Sequence, residues 1–297
     1  MSPLRVMSYN VRYFGHGTRG LASTRTGIRR IAEGIADVGA DLVCLQEVET
    51  QSVRSTLLGS SEHPRQIDML MADLARVTEA AGTEPYVAHY FPAHAYRLTR
   101  ATAIYTTGLA VLAKRSMRVV RHNADEPHDI THRARLKNLK QTRICAHVAF
   151  ESEKGAFDVF NTHLSLPNVF AKAFWTEPLR LGYGKNQLEE AKQLAEFVGR
   201  VSLSPNYVIV GDFNSLPGSP VDTFLREERG LRSAFSHRAG DTFSTAGFLR
   251  LRMHIDHLYA SPSVKWIDGD GTHGFDEPGR FAGLSDHVPL IARCVTD

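Results

Sequence analysis

The stretch YVIVGDFN, residues 207–214, sets an apolar, β-favouring run against a polar tip that carries Asp212 and Asn214. Such a run reads as a buried strand whose carboxyl end presents the groups able to do chemistry. The same plan recurs elsewhere: DLVCLQE (41–47) closes on Glu47, VMSYN (6–10) on Asn10 and FNTHL (160–164) on His163. A helix belongs between the paired stretches of each half. Ile28, Ile31, Ala32 and Ile35 repeat at helical spacing between Asn10 and Leu42, and Leu188, Ala191, Leu194, Ala195 and Val198 do so between His163 and Tyr207. Ligands in open α/β sheets gather outside the carboxyl ends of strands. Two such units facing each other therefore pool Asn10, Glu47, His163 and Asp212 in one cleft.

Ser23 or Thr24 is the expected cap of the first helix, which ends near Gly39, and Ile67, Leu70, Met71 and Leu74 mark another amphipathic helix. After Gly82 the pattern turns to strands: YVAHYF, GLAVLA, RVVRH, RICAHVAF and FDVFNTHL. No low-complexity tract or linker divides the chain, so residues 1–297 read as one domain built of two packed sheets. The segments 50–66, 92–107, 123–141 and 166–185 lack strong periodicity and are expected to be loops that shape specificity.

A formal charge of +3 over 297 residues forces neither a nucleic-acid nor a membrane reading. Cys44, Cys145 and Cys294 lie far apart without a CxxC pair, which points to reduced, buried thiols. The opening MSPLRVMSYNVRYFG has no apolar leader, and no later stretch reaches the length of a membrane span. A soluble, cytoplasmic protein is expected.

A carboxylate and a carboxamide at neighbouring strand ends, Glu47 and Asn10, suit a hard cation such as Mg²⁺. Alone, either would read as a solvated edge or a cap. Asp212 and Asn214, two apart, can project the same way, Asp212 to orient water and Asn214 to donate to a phosphate oxygen; an Asx-turn is the competing reading. Gly211 would let a substrate approach the backbone. His163 can hydrogen-bond a phosphate oxygen or serve as a core histidine. Asp256 in MHIDHLYA and His287 in SDH, each beside an expected strand, can pair so that the carboxylate fixes the imidazole tautomer. HIDH (254–257) offers two histidines three apart, a spacing sometimes seen with zinc, but the remaining candidate ligands are oxygens.

Taken in order, SYN, LQE, NTHL, GDFN, the IDH segment and SDH resemble the endonuclease/exonuclease/phosphatase superfamily, with its DNase I-like fold, from Asn10 to His287. The resemblance implies a four-layer α/β sandwich, two central mixed β-sheets flanked by helices, and a Mg²⁺ cleft, with Mn²⁺ as a substitute ion. It implies Glu47 as principal metal ligand with Asn10 beside it and Asp286 as a second, direct or water-mediated ligand. Asp212 would orient the attacking water, Asn214 and His163 would hold nonbridging oxygens, and His287 with Asp256 would stabilise charge or move a proton. The implied activity is hydrolysis of a phosphate ester by metal-assisted in-line attack of water.

The substrate is less constrained. RARLKNLKQTR (133–143) carries five basic side chains, and with Tyr96, Arg97 and Arg100 it can track a nucleic-acid backbone, which favours a phosphodiesterase or nuclease; without interleaved aromatics it equally suits a solvated loop. TTGLAVLAK and RMHIDHLYA depart from the GYSGVAI-like and WRIDY-like segments of apurinic-site endonucleases. The NTHL and QLEEAKQLAEF region is similar to the branch with sphingomyelinase-like and phosphoinositide-phosphatase-like enzymes, so a phosphomonoesterase or head-group hydrolase is the alternative. A non-catalytic binding protein on the same fold is a third reading, opposed by the intact acids, amides and histidines of all six motifs.

Overall fold

The computed structural model describes residues 3–14, 25–52, 65–99, 102–132, 142–152, 155–167, 181–235, 244–248, 251–268 and 275–296. Its strands are β1 (Leu4–Asn10), β2 (Leu42–Ser52), β3 (Tyr86–Thr99), β4 (Thr102–Lys114), β5 (Val119–His122), β6 (His128–Asp129), β7 (Ile144–Ser152) and β8 (Gly155–His163). They continue as β9 (Tyr207–Asp212), β10 (Arg232–Ser233), β11 (Ala246–Phe248), β12 (Leu251–Met253), β13 (Asp256–Ala260), β14 (Val264–Asp268) and β15 (Leu290–Thr296). The helices are α1 (Arg25–Val38), α2 (Gln66–Ala80), α3 (Lys185–Val201) and the short α4 (Pro220–Thr223), which runs into a π-helical turn over Phe224–Glu228.

One sheet has the order β14-β15-β1-β2-β4-β3; the other runs β10-β13-β9-β8-β7-β5, with β6 also beside β7. Each sheet is mixed for one reason. The only parallel pairs among these strands are β1 with β2 and β8 with β9, where a helix makes the crossover, α1 in the first and α3 in the second. The sequence pattern of two strand–helix–strand units is thus the centre of each sheet.

Alternation explains the layers. Val6, Leu42, Cys44, Val148, Val159, Val208, Val210 and Leu290 fill the space between the sheets. Met7, Val43 and Leu45 face the other way, against Ile28, Ile31 and Ile35 of α1 and Leu70 and Leu74 of α2. On the second sheet Phe160 and Ile209 meet Ala191, Leu194 and Val198 of α3. Helices, sheet, sheet and helices make the four-layer α/β sandwich of the DNase I-like fold. Each fully buried Leu or Ile contributes roughly 1.5–3 kcal/mol.

Three expectations change. Residues 92–99 and 102–107, within a segment read as a loop, belong to the paired strands β3 and β4, so Tyr96 and Arg97 are strand residues. Alternation there is obscured by three register shifts, which break the period that identifies a strand. Glu47 is not the end of its strand, because β2 continues to Ser52. Gly211 does not open the backbone to substrate: a Cβ there would come within 2.0 Å of the Thr162 carbonyl oxygen, so its φ of 145° serves the close approach of β8. The expected caps Ser23 and Thr24, most of the basic run (133–141) and Arg100 lie outside the described residues, as do 53–64 and 168–180 of the expected loops. Cys44, Cys145 and Cys294 are free and buried. No helix among the described residues is long and apolar enough to cross a membrane.

Candidate active site

Asn10 ends β1, and Gln46 is its register partner on the parallel strand β2. Just beyond, Gln46 and Glu47 together oppose a single residue of β4, because Leu45 pairs with Ala110 and Val48 with Gly108. This β-bulge puts Glu47 at φ 55°. A bulge re-aims a side chain without ending the strand, and the positive φ is the local cost. On the facing sheet His163 and Asp212 are register partners at the ends of β8 and β9, and Asp256 pairs with Asp212 from β13. Four of the groups thus arrive by strand register alone.

These carboxyl ends converge. Asn10 Nδ2 donates to Asp212 Oδ2 at 3.0 Å, and its Oδ1 accepts the Arg12 N–H at 3.0 Å. His163 Nε2 is 3.4 Å from Asp212 Oδ2 and 4.0 Å from Glu47 Oε1. His287 Nδ1 meets Asp256 Oδ2 at 2.9 Å, and its Nε2 is 3.8 Å from Asp212 Oδ2. Asp286 forms an ion pair with Arg12 at 2.9 Å.

Asn214 differs from its expected geometry. It lies past the end of β9 at φ 48°, its N–H donates to Asp212 Oδ1 at 2.9 Å, and its Nδ2 donates to the Leu164 carbonyl at 2.9 Å. The Asx-turn is therefore formed: it braces Asp212 and leaves one Nδ2 hydrogen of Asn214 for another acceptor.

Burial and charge set the protonation states. Burial lifts the Glu47 carboxyl and Asp286 adds to it, opposed by His287, Asn10 and Arg143. Asp212 is raised by burial and by the neighbouring Asp256 carboxylate. His163 is held well below the usual imidazole range, first by burial, then by Arg143 and His287, and is neutral. Burial alone would lower His287, but Asp256, Asp212 and Asp286 outweigh it and push it up to about 10.

Several participants escaped the sequence reading. Arg143, counted there only as the last charge of a basic run, lines an open cleft with Glu47, Thr107, Gly108 and His163, and its Nε is buried without a hydrogen-bond partner. Its position immediately before the apolar strand ICAHVAF was the available signal. Thr245 Oγ1 accepts the N–H groups of Ile255 and Asp256, while Ala246 bridges His287, so the β11–β12 hairpin braces the dyad from outside the second sheet. Gln187 of α3 donates to the Asn214 carbonyl at 2.7 Å.

The donors suit a hard divalent cation. Glu47 and Asp286 are carboxylates, burial penalises the charge on Glu47, and Asn10 supplies an amide oxygen. Among the described residues, the acid and histidine groups whose ligand atoms all lie within 4.8 Å of one another are Asp212, Asp256 and His287. Asp256 Oδ1 there is buried without a partner. Among the described residues, His254 and His257 of the HIDH segment join no metal-compatible cluster: His257 Nε2 is 2.7 Å from the Ser215 carbonyl, and the two rings stack.

The fold has counterparts among solved structures. The catalytic domain of human Nocturnin with bound sulfate superposes over 99% of this chain and 95% of its own, at 18% identity and a TM-score of 0.63. ANGEL2, a 2',3'-cyclic phosphatase in complex with adenosine-2',3'-vanadate, does so over 98% and 95%, at 21% identity and a TM-score of 0.64. A mannosyl-6-phosphatase from Bacteroides thetaiotaomicron VPI-5482 covers 98% of this chain and 99% of its own, at 18% identity and a TM-score of 0.60. At such identities the likeness speaks for the fold. No curated protein sequence matches the chain. The model of the Endonuclease/Exonuclease/phosphatase family matches residues 7–287, and with the motifs of both sheets in their expected places the chain belongs to that family.

Proposed function

We propose that this chain, read as one catalytic domain over residues 1–297, is a metal-dependent hydrolase that cleaves a phosphodiester with activated water, as a nuclease or related phosphodiesterase. The observation that carries this reading is the meeting of Glu47, His163, Asp212 and His287 within 4.0 Å of one another in a chain of contacts, beside a cleft that Glu47, His163 and Arg143 line.

A phosphate ester repels an incoming nucleophile, so hydrolysis needs positive charge on its oxygens, placed donors and in-line geometry. Glu47, with Asn10 and Asp286, would hold Mg²⁺ or Mn²⁺, which supplies charge to the phosphoryl oxygens. Asp212, braced by Asn10 Nδ2 and the Asn214 N–H, orients water and accepts its proton at a carboxylate whose raised pKa suits a base. Neutral His163 and the remaining Nδ2 hydrogen of Asn214 direct N–H groups at nonbridging oxygens. Arg143 adds a fixed charge with an unused Nε–H. His287, protonated and oriented by Asp256, stabilises developing charge or delivers a proton through Nε2.

The test is release of p-nitrophenol from bis-p-nitrophenyl phosphate with Mg²⁺ or Mn²⁺, with and without chelator, in wild type and Glu47→Gln. Chelator-sensitive turnover that falls by orders of magnitude in the variant is expected; equal turnover in both proteins would end the assignment of Glu47. A monoester panel, with phosphorylated sugars and inositol phosphates, separates this reading from a phosphomonoesterase or a head-group hydrolase. Neutralising Arg133, Arg135 and Lys137 should flatten the salt dependence of nucleic-acid binding if the substrate is a polymer.

A further inference from the structure

Gln46 and Asn161 belong to the LQE and NTHL motifs, yet neither has work in the chemistry above. Both are fully buried between the sheets. Asn161 stands two residues before His163 on β8, so the two side chains leave the strand on the same face, toward the first sheet. Its Nδ2 crosses the sandwich and donates to Leu45 O at 2.9 Å and Ala110 O at 3.1 Å. Those carbonyls belong to the last regular pair of β2 and β4 before the bulge that carries Glu47.

The amide orientation is determined. Both backbone partners can only accept, so Nδ2 must face them and Oδ1 must face Gln46, whose Nε2 donates to it at 2.7 Å. Gln46 Nε2 also reaches Ser8 Oγ on β1 and the Cys44 carbonyl, each at 3.2 Å. One amide pair therefore joins β1, β2 and β4 of one sheet to β8 of the other, beside the residue held at a positive φ.

We propose that Asn161 and Gln46 are positioning residues: their buried amide pair clamps the bulge that aims Glu47 to the strand that bears His163, and so sets the gap across which the two groups act. This rests on the proposed role of Glu47. Apolar packing between two sheets is non-directional and tolerates sliding by fractions of an ångström, whereas paired amide bonds in a water-excluded space fix register and distance together.

The test uses Asn161→Leu, close in volume but without donors, and Gln46→Met, with Val159→Ala on the same face of β8 as the control for lost packing. Amide hydrogen exchange of the metal-free protein over residues 45–48 should quicken at least tenfold in Asn161→Leu and less in Gln46→Met, and remain as in wild type in Val159→Ala. Mn²⁺ affinity by calorimetry should weaken by about tenfold in Asn161→Leu and be retained in the control, even where both lose thermal stability. Exchange at 45–48 unchanged in Asn161→Leu, or quickened equally by Val159→Ala, overturns the clamp. Should Asn161→Leu not fold, the same comparison is made with Gln46→Met, which keeps both backbone bonds of Asn161. A wild type that neither binds Mn²⁺ nor hydrolyses diesters defeats the functional reading, while the exchange measurement still decides the clamp.

Discussion

His287 and Asp256 are joined by a 2.9 Å contact between Nδ1 and Oδ2, and the opposite edge of the same ring faces Asp212 at 3.8 Å. The imidazole thus bridges two carboxylates that belong to adjacent antiparallel strands. If His287 stabilises charge at the phosphoryl centre, His287→Ala should lower kcat/KM by on the order of 10²–10³, the range for losing one preorganised donor. Asp256→Asn should cost less, and the double variant should fall short of additivity, because an absent ring cannot be oriented. Strictly additive losses would separate the two residues.

Asp212 is braced on both oxygens, by Asn214 N–H on Oδ1 and Asn10 Nδ2 on Oδ2. Asp212→Asn removes the base and turns one of these donors against another donor. The expected result is a kcat reduced by orders of magnitude with KM changed little, read from steady-state kinetics on bis-p-nitrophenyl phosphate. A variant that differs only in KM contradicts the assignment.

Arg143 meets the cleft with a buried Nε–H that has no protein partner. Arg143→Met keeps much of the apolar stem and deletes the guanidinium. Lost phosphate contact should raise KM by about tenfold or more, the range for a charge-assisted hydrogen bond of roughly 1.5–3 kcal/mol. Arg143→Lys should recover only part, since a lysine has no planar fork. Full recovery by lysine would reduce the role to charge alone.

Asp222, far from the reaction in role, is expected to matter for stability. It is fully buried and accepts from Gly218 N–H at 2.8 Å and Tyr259 Oη at 2.7 Å, with Arg226 at 3.4 Å. Burial raises its pKa, but these donors and the nearby His257 outweigh that and hold it below the usual carboxylate value. Because the folded pKa is depressed, the contribution is present above the ordinary carboxylate pKa and is lost as pH falls through the lower folded value. Asp222→Asn should cost about 2 kcal/mol at neutral pH in denaturant titrations, and the gap should narrow only below about pH 4. A gap that is the same at pH 7 and pH 3 would argue against an ionised Asp222.

Local apolar period, and where it stops, suffices to read the two strand–helix–strand units, the polar tips at Asn10, His163 and Asp212, a helix ending near Gly39 and another over about residues 186–198, which in the structure run 25–38 and 185–201. It also placed Asp256 and His287 beside strands, although their contact spans 31 residues. How Glu47 is aimed depends on strand pairing across the sheet. Its bulge is defined by the mismatch between β2 and β4, and no period within one strand records a mismatch with another. YVAHYF and GLAVLA were legible as strands, but their continuation into 92–99 and 102–107 was hidden for the same reason, and Arg143 acquired its place from what faces it across the cleft rather than from its charged neighbours in sequence. Periodicity reports which face of an element is buried, while the partner on that face is set by long-range register and packing, which a chain acquires only when its sheets meet.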